Sequence, residues 1–237
     1  MTSAIDIMLV EDDESLGFLI KDALDSHGWR VHLYRDGEKG LSAFHSHVYD
    51  LCILDIMLPE KDGFTLASEI RKYNQQVPII FLTAKNQTQD KIHGFQVGAD
   101  DYVCKPFSIE EFKYRVEAIL KRTYNATSDK PTHELKVSQC TLDVKNLVLR
   151  VVDHETRLTH TECQLLQMFF RHPGQLIERD IFLKAIWEEN GFFVARSMDV
   201  FVSKLRKHLK PDAALRIDNV RGIGYVLHDN SKGPLQR

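Results

Sequence analysis

Five short apolar runs punctuate the first 122 residues: Ile5–Val10, Val31–Tyr34, Leu51–Leu54, Pro78–Leu82 and Asp101–Val103. Between them apolar residues recur at helical spacing, as in Leu16, Leu19, Ile20, Ala23 and Leu24, so the pattern predicts five βα units. Continuous apolar strands need cover on both faces, which a parallel sheet between two helical layers supplies. Right-handed crossovers then carry every strand's C-terminal end to one edge, outside which such sheets bind ligands. The front of the chain therefore reads as a five-stranded, parallel, doubly wound α/β domain over residues 1–123.

Past Arg122 the alternation stops. Residues 124–133 are polar, aperiodic and contain Pro131, which reads as a linker. Four strand candidates crowd into Leu135–Leu158 with no room for helices between them. Helical patterns follow at Thr161–Arg171, Glu178–Glu188 and Arg196–Leu209. The chain then offers Leu215–Val220, the glycine-rich Arg221-Gly-Ile-Gly224 and Tyr225–His228, a β-hairpin pattern. Residues 134–230 thus read as a separate α+β domain, and 231–237 as a frayed tail.

Composition narrows the class. At 237 residues, with 43% hydrophobic and 27% charged content, the chain suits two globular domains of about 100 to 150 residues each. No apolar run approaches the roughly 18 residues of a membrane span, and the first residues lack the pattern of a secretion signal. Cys52, Cys104, Cys140 and Cys163 stand far apart, without metal-ligand spacing. They read as buried thiols of a reducing cytoplasm. Net charge is −3, but the sign divides along the chain. Residues 1–123 hold 14 Lys and Arg against 20 Asp and Glu, whereas 124–237 hold 17 against 14. The basic rear half suits an anionic partner, though an excess of three is modest.

The chemistry gathers at the strand ends. Asp55 closes the apolar run Leu51–Leu54, and Glu11-Asp12-Asp13 closes the first run. Carboxylates meeting at one edge repel, so a cation is expected there. Mg²⁺, a hard ion taking oxygen ligands, fits. Asp12 and Asp13 equally suit the N-cap of the first helix. The fourth strand ends at Thr83 and the fifth at Tyr102-Val-Cys-Lys105, adding a hydroxyl and an ammonium to the same edge. That set is suited to a phosphoryl group: Asp55 attacks, the metal and Lys105 neutralise oxygens, and Thr83 donates a hydrogen bond.

The acidic run after strand one, "LDIMLP", "LTAK" and "GADDYVCKPF" resemble, in order and spacing, the receiver domain of two-component response regulators, a CheY- or flavodoxin-like fold. The resemblance covers residues 5–122. It implies that Asp55 accepts phosphate from a sensor histidine kinase, and that Glu11, Asp12, Asp55 and the backbone carbonyl of Met57 bind Mg²⁺. It implies also that Lys105 pairs with the phosphoryl group while Thr83 and Tyr102 form the switch. Cys104 stands where threonine is common, a small change expected to cost no function. Homodimerisation is implied as well, with Lys91–Glu111, Asp101–Arg115 and Asp100–Arg122 as ion pairs between subunits. Solvated surface charge is the plainer alternative for these residues, and exposed pairs contribute only about 0 to 1 kcal/mol each. Met57 and Lys85 follow Asp55 and Thr83 by two positions and offer no general base to activate water, so a long-lived aspartyl phosphate is expected.

In the rear half, Met198, Phe201, Val202, Leu205 and Leu209 give the third helix an apolar face. Arg196, Lys204, Arg206, Lys207 and Lys210 crowd the remainder. A basic helix beside a basic hairpin matches a helix-turn-helix variant sized for the major groove. "LTHTECQLL", "ARSMDVFVSKLRKHL" and "VRGIGY" resemble the winged-helix effector of the OmpR/PhoB subfamily, with wording closest to RprY-type regulators. The resemblance places Ser197, Val200, Lys204 and Arg206 near bases or adjoining phosphates, and Asn219 and Arg221 on the wing. Arg196 and Lys207 are expected on phosphates, which position without reading sequence. Phe201 replaces a frequent histidine, leaving its contact open. Glu188–Ala195 is expected to be a loop whose Phe192 and Phe193 either contact RNA polymerase or simply pack.

The leading expectation is a phosphorylation-switched transcription regulator that binds double-stranded DNA as a dimer on a direct-repeat operator. Its only chemistry would be self-phosphotransfer and slow autodephosphorylation. A regulator that binds DNA without phosphate is one alternative. An aspartyl-phosphate hydrolase is another, but it needs an acid where Met57 stands.

Overall fold

A computed structural model describes residues 5–84, 94, 96–125, 134–187 and 192–232. Of the expected linker, residues 124–125 instead close the last helix of the first unit, and 126–133 lie outside the described residues; of the expected frayed tail, 231–232 belong to a short 3-10 turn, and 233–237 lie outside them. The chain divides into two compact units, residues 1–125 and 126–237.

In the first unit, β1 (Asp6–Val10), α1 (Glu14–Asp25), β2 (Arg30–Tyr34), α2 (Gly37–Ser46), β3 (Leu51–Asp55), α3 (Gly63–Tyr73), β4 (Ile79–Ala84), β5 (Asp101–Lys105) and α4 (Ile109–Asn125) follow in order. All strand pairings are parallel, in the order β2-β1-β3-β4-β5. Ile7, Leu9, Ile53, Leu82 and Val103 pack one sheet face against Ile20 and Leu24 of α1 and Phe112, Val116 and Ile119 of α4. Burying each such side chain contributes roughly 1.5–3 kcal/mol, which is what holds these layers on the sheet. Asp13, Asp36 and Asp62 cap α1, α2 and α3 by accepting the backbone N–H groups of Leu16, Lys39 and Phe64. Asp13 is thereby the cap of α1, the plainer of its two readings.

The second unit opens with a four-stranded antiparallel sheet, β6 (Glu134–Val137), β7 (Cys140–Asp143), β8 (Val148–Val151) and β9 (His154–Arg157). It continues through α5 (His160–Arg171), β10 (Leu176–Glu178), α6 (Arg179–Trp187), α7 (Phe192–Leu209), β11 (Leu215–Val220) and β12 (Gly224–Asp229). The last two strands form the expected hairpin, and β10 pairs with β12. One expectation for this unit needs correction. Phe192–Ala195 is the first turn of α7, not a loop, because no glycine or proline interrupts the chain between Gly191 and Pro211. Residues 188–191 lie outside the described residues. Strand β10 escaped notice because three residues make a strand only when a partner is present.

Candidate functional site

Register brings the acids together. Val10 pairs with Leu54, so Glu11 and Asp55 leave neighbouring strands side by side. Ala84 pairs with Lys105, which brings the ammonium to the same edge from β5. Lys105 Nζ donates to Glu11 at 2.7 and 2.9 Å and to Asp55 Oδ2 at 2.5 Å. The other oxygen of Asp55 accepts the Met57 N–H at 3.0 Å. This is the partner that a carboxylate at a buried strand's end requires.

Gly63 closes the site from behind. A side chain there would collide with the Asp55 carbonyl, and its N–H donates to Ile56 O at 3.0 Å. The start of α3 therefore lies hard against the end of β3. Sequence reading gave this glycine no role, because close approach of distant segments leaves no local signal.

Glu11 is fully buried. Burial first, and the charge of Asp55 after it, raise its pKa to about 7 against the pull of Lys105. Burial also works against the charge on Lys105, but its hydrogen bonds to Asp55 and Glu11 hold its pKa above the ordinary value. Oxygen atoms of Glu11, Asp12 and Asp55 lie within 4.8 Å of one another. An all-oxygen donor set of this span fits a hard divalent cation. Asp12 is exposed, leaving one side of the cluster open to solvent.

Thr83 is buried near the end of β4. Tyr102 sits one strand over, opposite Phe81 in register, with ring centroids 5.2 Å apart. Its ring is turned inward and only 9% exposed. Met57 is 70% exposed. Lys85 lies outside the described residues.

The acids expected between subunits have partners within the chain. Asp100 is a buried acid that accepts the Ile79 N–H at 3.0 Å and meets Arg71 at 3.4 Å. Arg115 reaches Asp101 at 3.4 Å and Glu111, one helical turn away, at 3.0 Å. Lys91 and the side chain of Arg122 lie outside the described residues.

In α7 the apolar stripe Met198, Phe201, Val202, Leu205 and Leu209 is buried. Phe201 is thus a core residue, which answers the question left by the missing histidine. Ser203, Lys207 and Lys210 are exposed and Val200 half-buried, on the face away from that stripe. Lys204 and Arg206 flank it and are committed elsewhere. Lys204 pairs with the buried Glu162 at 3.1 Å, and Arg206 Nε donates to Ile217 O at 2.9 Å. The expected nucleic-acid role of Lys204 therefore competes with a structural one. Burial alone would raise the Glu162 pKa, but the charge of Lys204 and the Thr159 N–H hold it below the ordinary value. Glu162 also closes the capping box of α5 with Thr159.

A second tie escaped sequence reading. Asp199 of α7 accepts from Tyr225 Oη of β12 and from Arg179 of α6, the latter at 2.5 Å. Asn219 and Arg221 are exposed on the hairpin. The side chains of Arg196 and Ser197 lie outside the described residues.

Comparison with known proteins agrees with this division. Residues 7–117 match the family described as "Response regulator receiver domain", and residues 153–227 match "Transcriptional regulatory protein, C terminal". "Transcriptional regulatory protein RprY" of Bacteroides fragilis is 46% identical over 227 residues, covering 96% of each chain. "Response regulator ArlR" of Staphylococcus aureus is 37% identical over 223 residues, 93% of this chain and 98% of that one. Among solved structures, a point mutant of RitR covers 95% of this chain and all of its own, with TM-score 0.74 and 23% identity. The "Response Regulator DrrB, a Thermotoga maritima OmpR/PhoB Homolog" covers 95% of this chain and 99% of its own, with TM-score 0.51 and 23% identity. At those identities the two structures speak for the fold alone.

Proposed function

The chain belongs to the two-component response regulators of the OmpR/PhoB winged-helix subfamily, and from that premise we propose that phosphorylation of Asp55 by a sensor histidine kinase switches its binding to DNA. One observation carries the reading: an Asp55 carboxylate with Lys105 Nζ at 2.5 Å and acidic oxygens of Glu11 and Asp12 within 4.8 Å. An oxygen of Asp55 attacks the donor's phosphorus, the phosphorus–nitrogen bond breaks, and the electron pair leaves with the histidine ring. Glu11, Asp12, Asp55 and the Met57 carbonyl would hold Mg²⁺, which supplies charge neutralisation to the phosphoryl oxygens when bound.

Lys105 keeps the carboxylates together beforehand and then turns one hydrogen bond to the phosphoryl group. Thr83 donates to another of its oxygens, and Tyr102 follows on the neighbouring strand. Met57 offers a thioether and no base, which supports slow autodephosphorylation.

In the second unit, Val200 and Lys207 on the exposed face of α7 face the major groove, and Arg196 and Ser197, earlier in the same helix, join them as contacts. Arg206 lies at the flank, and Asn219 and Arg221 serve the wing. A receiver dimer, with Asp100, Asp101, Glu111 and Arg115 near its interface, sets two effectors on direct-repeat half-sites. Tethering then raises affinity by local concentration. Among the described residues no helix is long and apolar enough to cross a membrane; a kinase-switched, DNA-binding role places the site of action in the cytoplasm.

Treatment of the full chain with phosphoramidate and Mg²⁺, followed by peptide mass mapping, tests the reading. Phosphate is expected on Asp55 and absent from Asp55→Asn. Phosphate elsewhere, or none, refutes it.

A further inference from the structure

Tyr102 reaches its inward position because residue 94 has no side chain. Gly94 is buried in helical backbone beyond β4. A methyl group on its Cα would overlap the Tyr102 hydroxyl and ring, and would lie 2.9 Å from the Phe64 ring edge. The three rings form a continuous cluster, Phe64 edge-on to Phe81 at 5.1 Å and Phe81 tilted against Tyr102 at 5.2 Å between centroids.

Backbone conformation does not explain this glycine. Gly98, four residues on, has φ 106° and needs its freedom. Gly94 lies outside that left-handed region. A glycine within a helix is less favourable than alanine, and here space is what offsets the cost.

We propose that Gly94 is a positioning residue for the switch: the gap it leaves is the seat of Tyr102, and filling it uncouples Asp55 phosphorylation from dimerisation. The proposal rests on the phosphorylation reading above. The added methyl would be fixed to backbone, so the tyrosine must yield. Driven outward, its ring leaves Phe81 and can no longer hold the inward position that phosphorylation is to stabilise. The carboxylates and Lys105 are untouched, so phosphate uptake continues.

The test uses full-length Gly94→Ala treated with phosphoramidate and Mg²⁺. Mass mapping reads phosphate on Asp55, sedimentation reads dimerisation, and tetranitromethane nitration reads exposure of Tyr102. Phosphate uptake is expected within about twofold of the unchanged protein, while the phosphate-driven gain in dimer affinity, typically about 5- to 150-fold for coupled sites, falls to near unity. Nitration of Tyr102 rises.

In a Tyr102→Ala background the added methyl meets only the edge of the Phe64 ring, so the same glycine substitution should cost far less stability than in the unchanged protein and leave dimerisation as Tyr102→Ala alone has it. If Gly94→Ala alone fails to fold, the double variant must fold; failure of both overturns the proposal. It is also overturned if Gly94→Ala leaves Tyr102 protected and dimerises on phosphorylation. Should the unchanged protein take up phosphate without dimerising, the switch reading falls instead, and nitration alone decides whether Gly94 seats the tyrosine.

Discussion

Acidifying the solution should strip magnesium from the Asp55 site by protonating Glu11 before any exposed carboxylate. With a pKa raised to about 7 by its burial, Glu11 is roughly nine-tenths ionised near pH 8 and about a tenth ionised near pH 6. A metal ligand must shed its proton first, so magnesium affinity falls about tenfold over that range, or ~1.4 kcal/mol.

The same perturbation has a second arm in folding. The folded-state pKa lies above the ordinary 4.5, so the metal-free fold is favoured below about pH 4.5 and loses that contribution as pH rises through about 7. The swing is on the order of 3 kcal/mol, and saturating magnesium removes it. Calorimetry in two buffers of different ionisation enthalpy counts protons: about 0.9 released per magnesium near pH 6 and about 0.1 near pH 8. Glu11→Gln should release almost none. Equal affinity at both pH values with no proton release near pH 6 would refute the reasoning.

Three further outcomes are expected. Lys204→Met leaves the buried Glu162 carboxylate without its cation, so the second unit should lose about 3–5 kcal/mol in urea unfolding; unchanged stability with weakened DNA binding would make Lys204 a contact residue after all. Lys207→Ala, on the exposed face of α7, should weaken binding to all DNA sequences alike and reduce the salt slope by about 1; altered preference among sequences would instead mark it as a reader. Met57→Glu places a general base two residues beyond Asp55 and should shorten phosphate lifetime by about tenfold or more, measured by loss of label from purified protein; an unchanged lifetime would mean that water is excluded by something other than the missing base.

Much of the sheet edge was legible because it is written locally. An apolar run ending in an acid, hydroxyl or lysine names both a strand and the residue at its mouth, and a parallel sheet aligns those mouths. Tertiary facts were not legible. Asp100 and Asp101 look alike in sequence, yet Asp100 is drawn beneath Arg71 and onto the Ile79 amide while Asp101 turns to Arg115. Lys204 reads as one of several helix-surface cations, and only the meeting of α5 with α7 gives it a buried counter-charge. Gly63 and Gly94 carry meaning solely through what approaches them.

The strand order β2-β1-β3-β4-β5 separates two kinds of traffic. The acids Glu11 and Asp12 follow β1, to one side of Asp55, and the Thr83 hydroxyl and the Tyr102 ring stand on β4 and β5, to the other. The cation-holding acids and the hydroxyl–aromatic pair thus lie on opposite flanks of Asp55, so a substitution on one flank need not disturb the other.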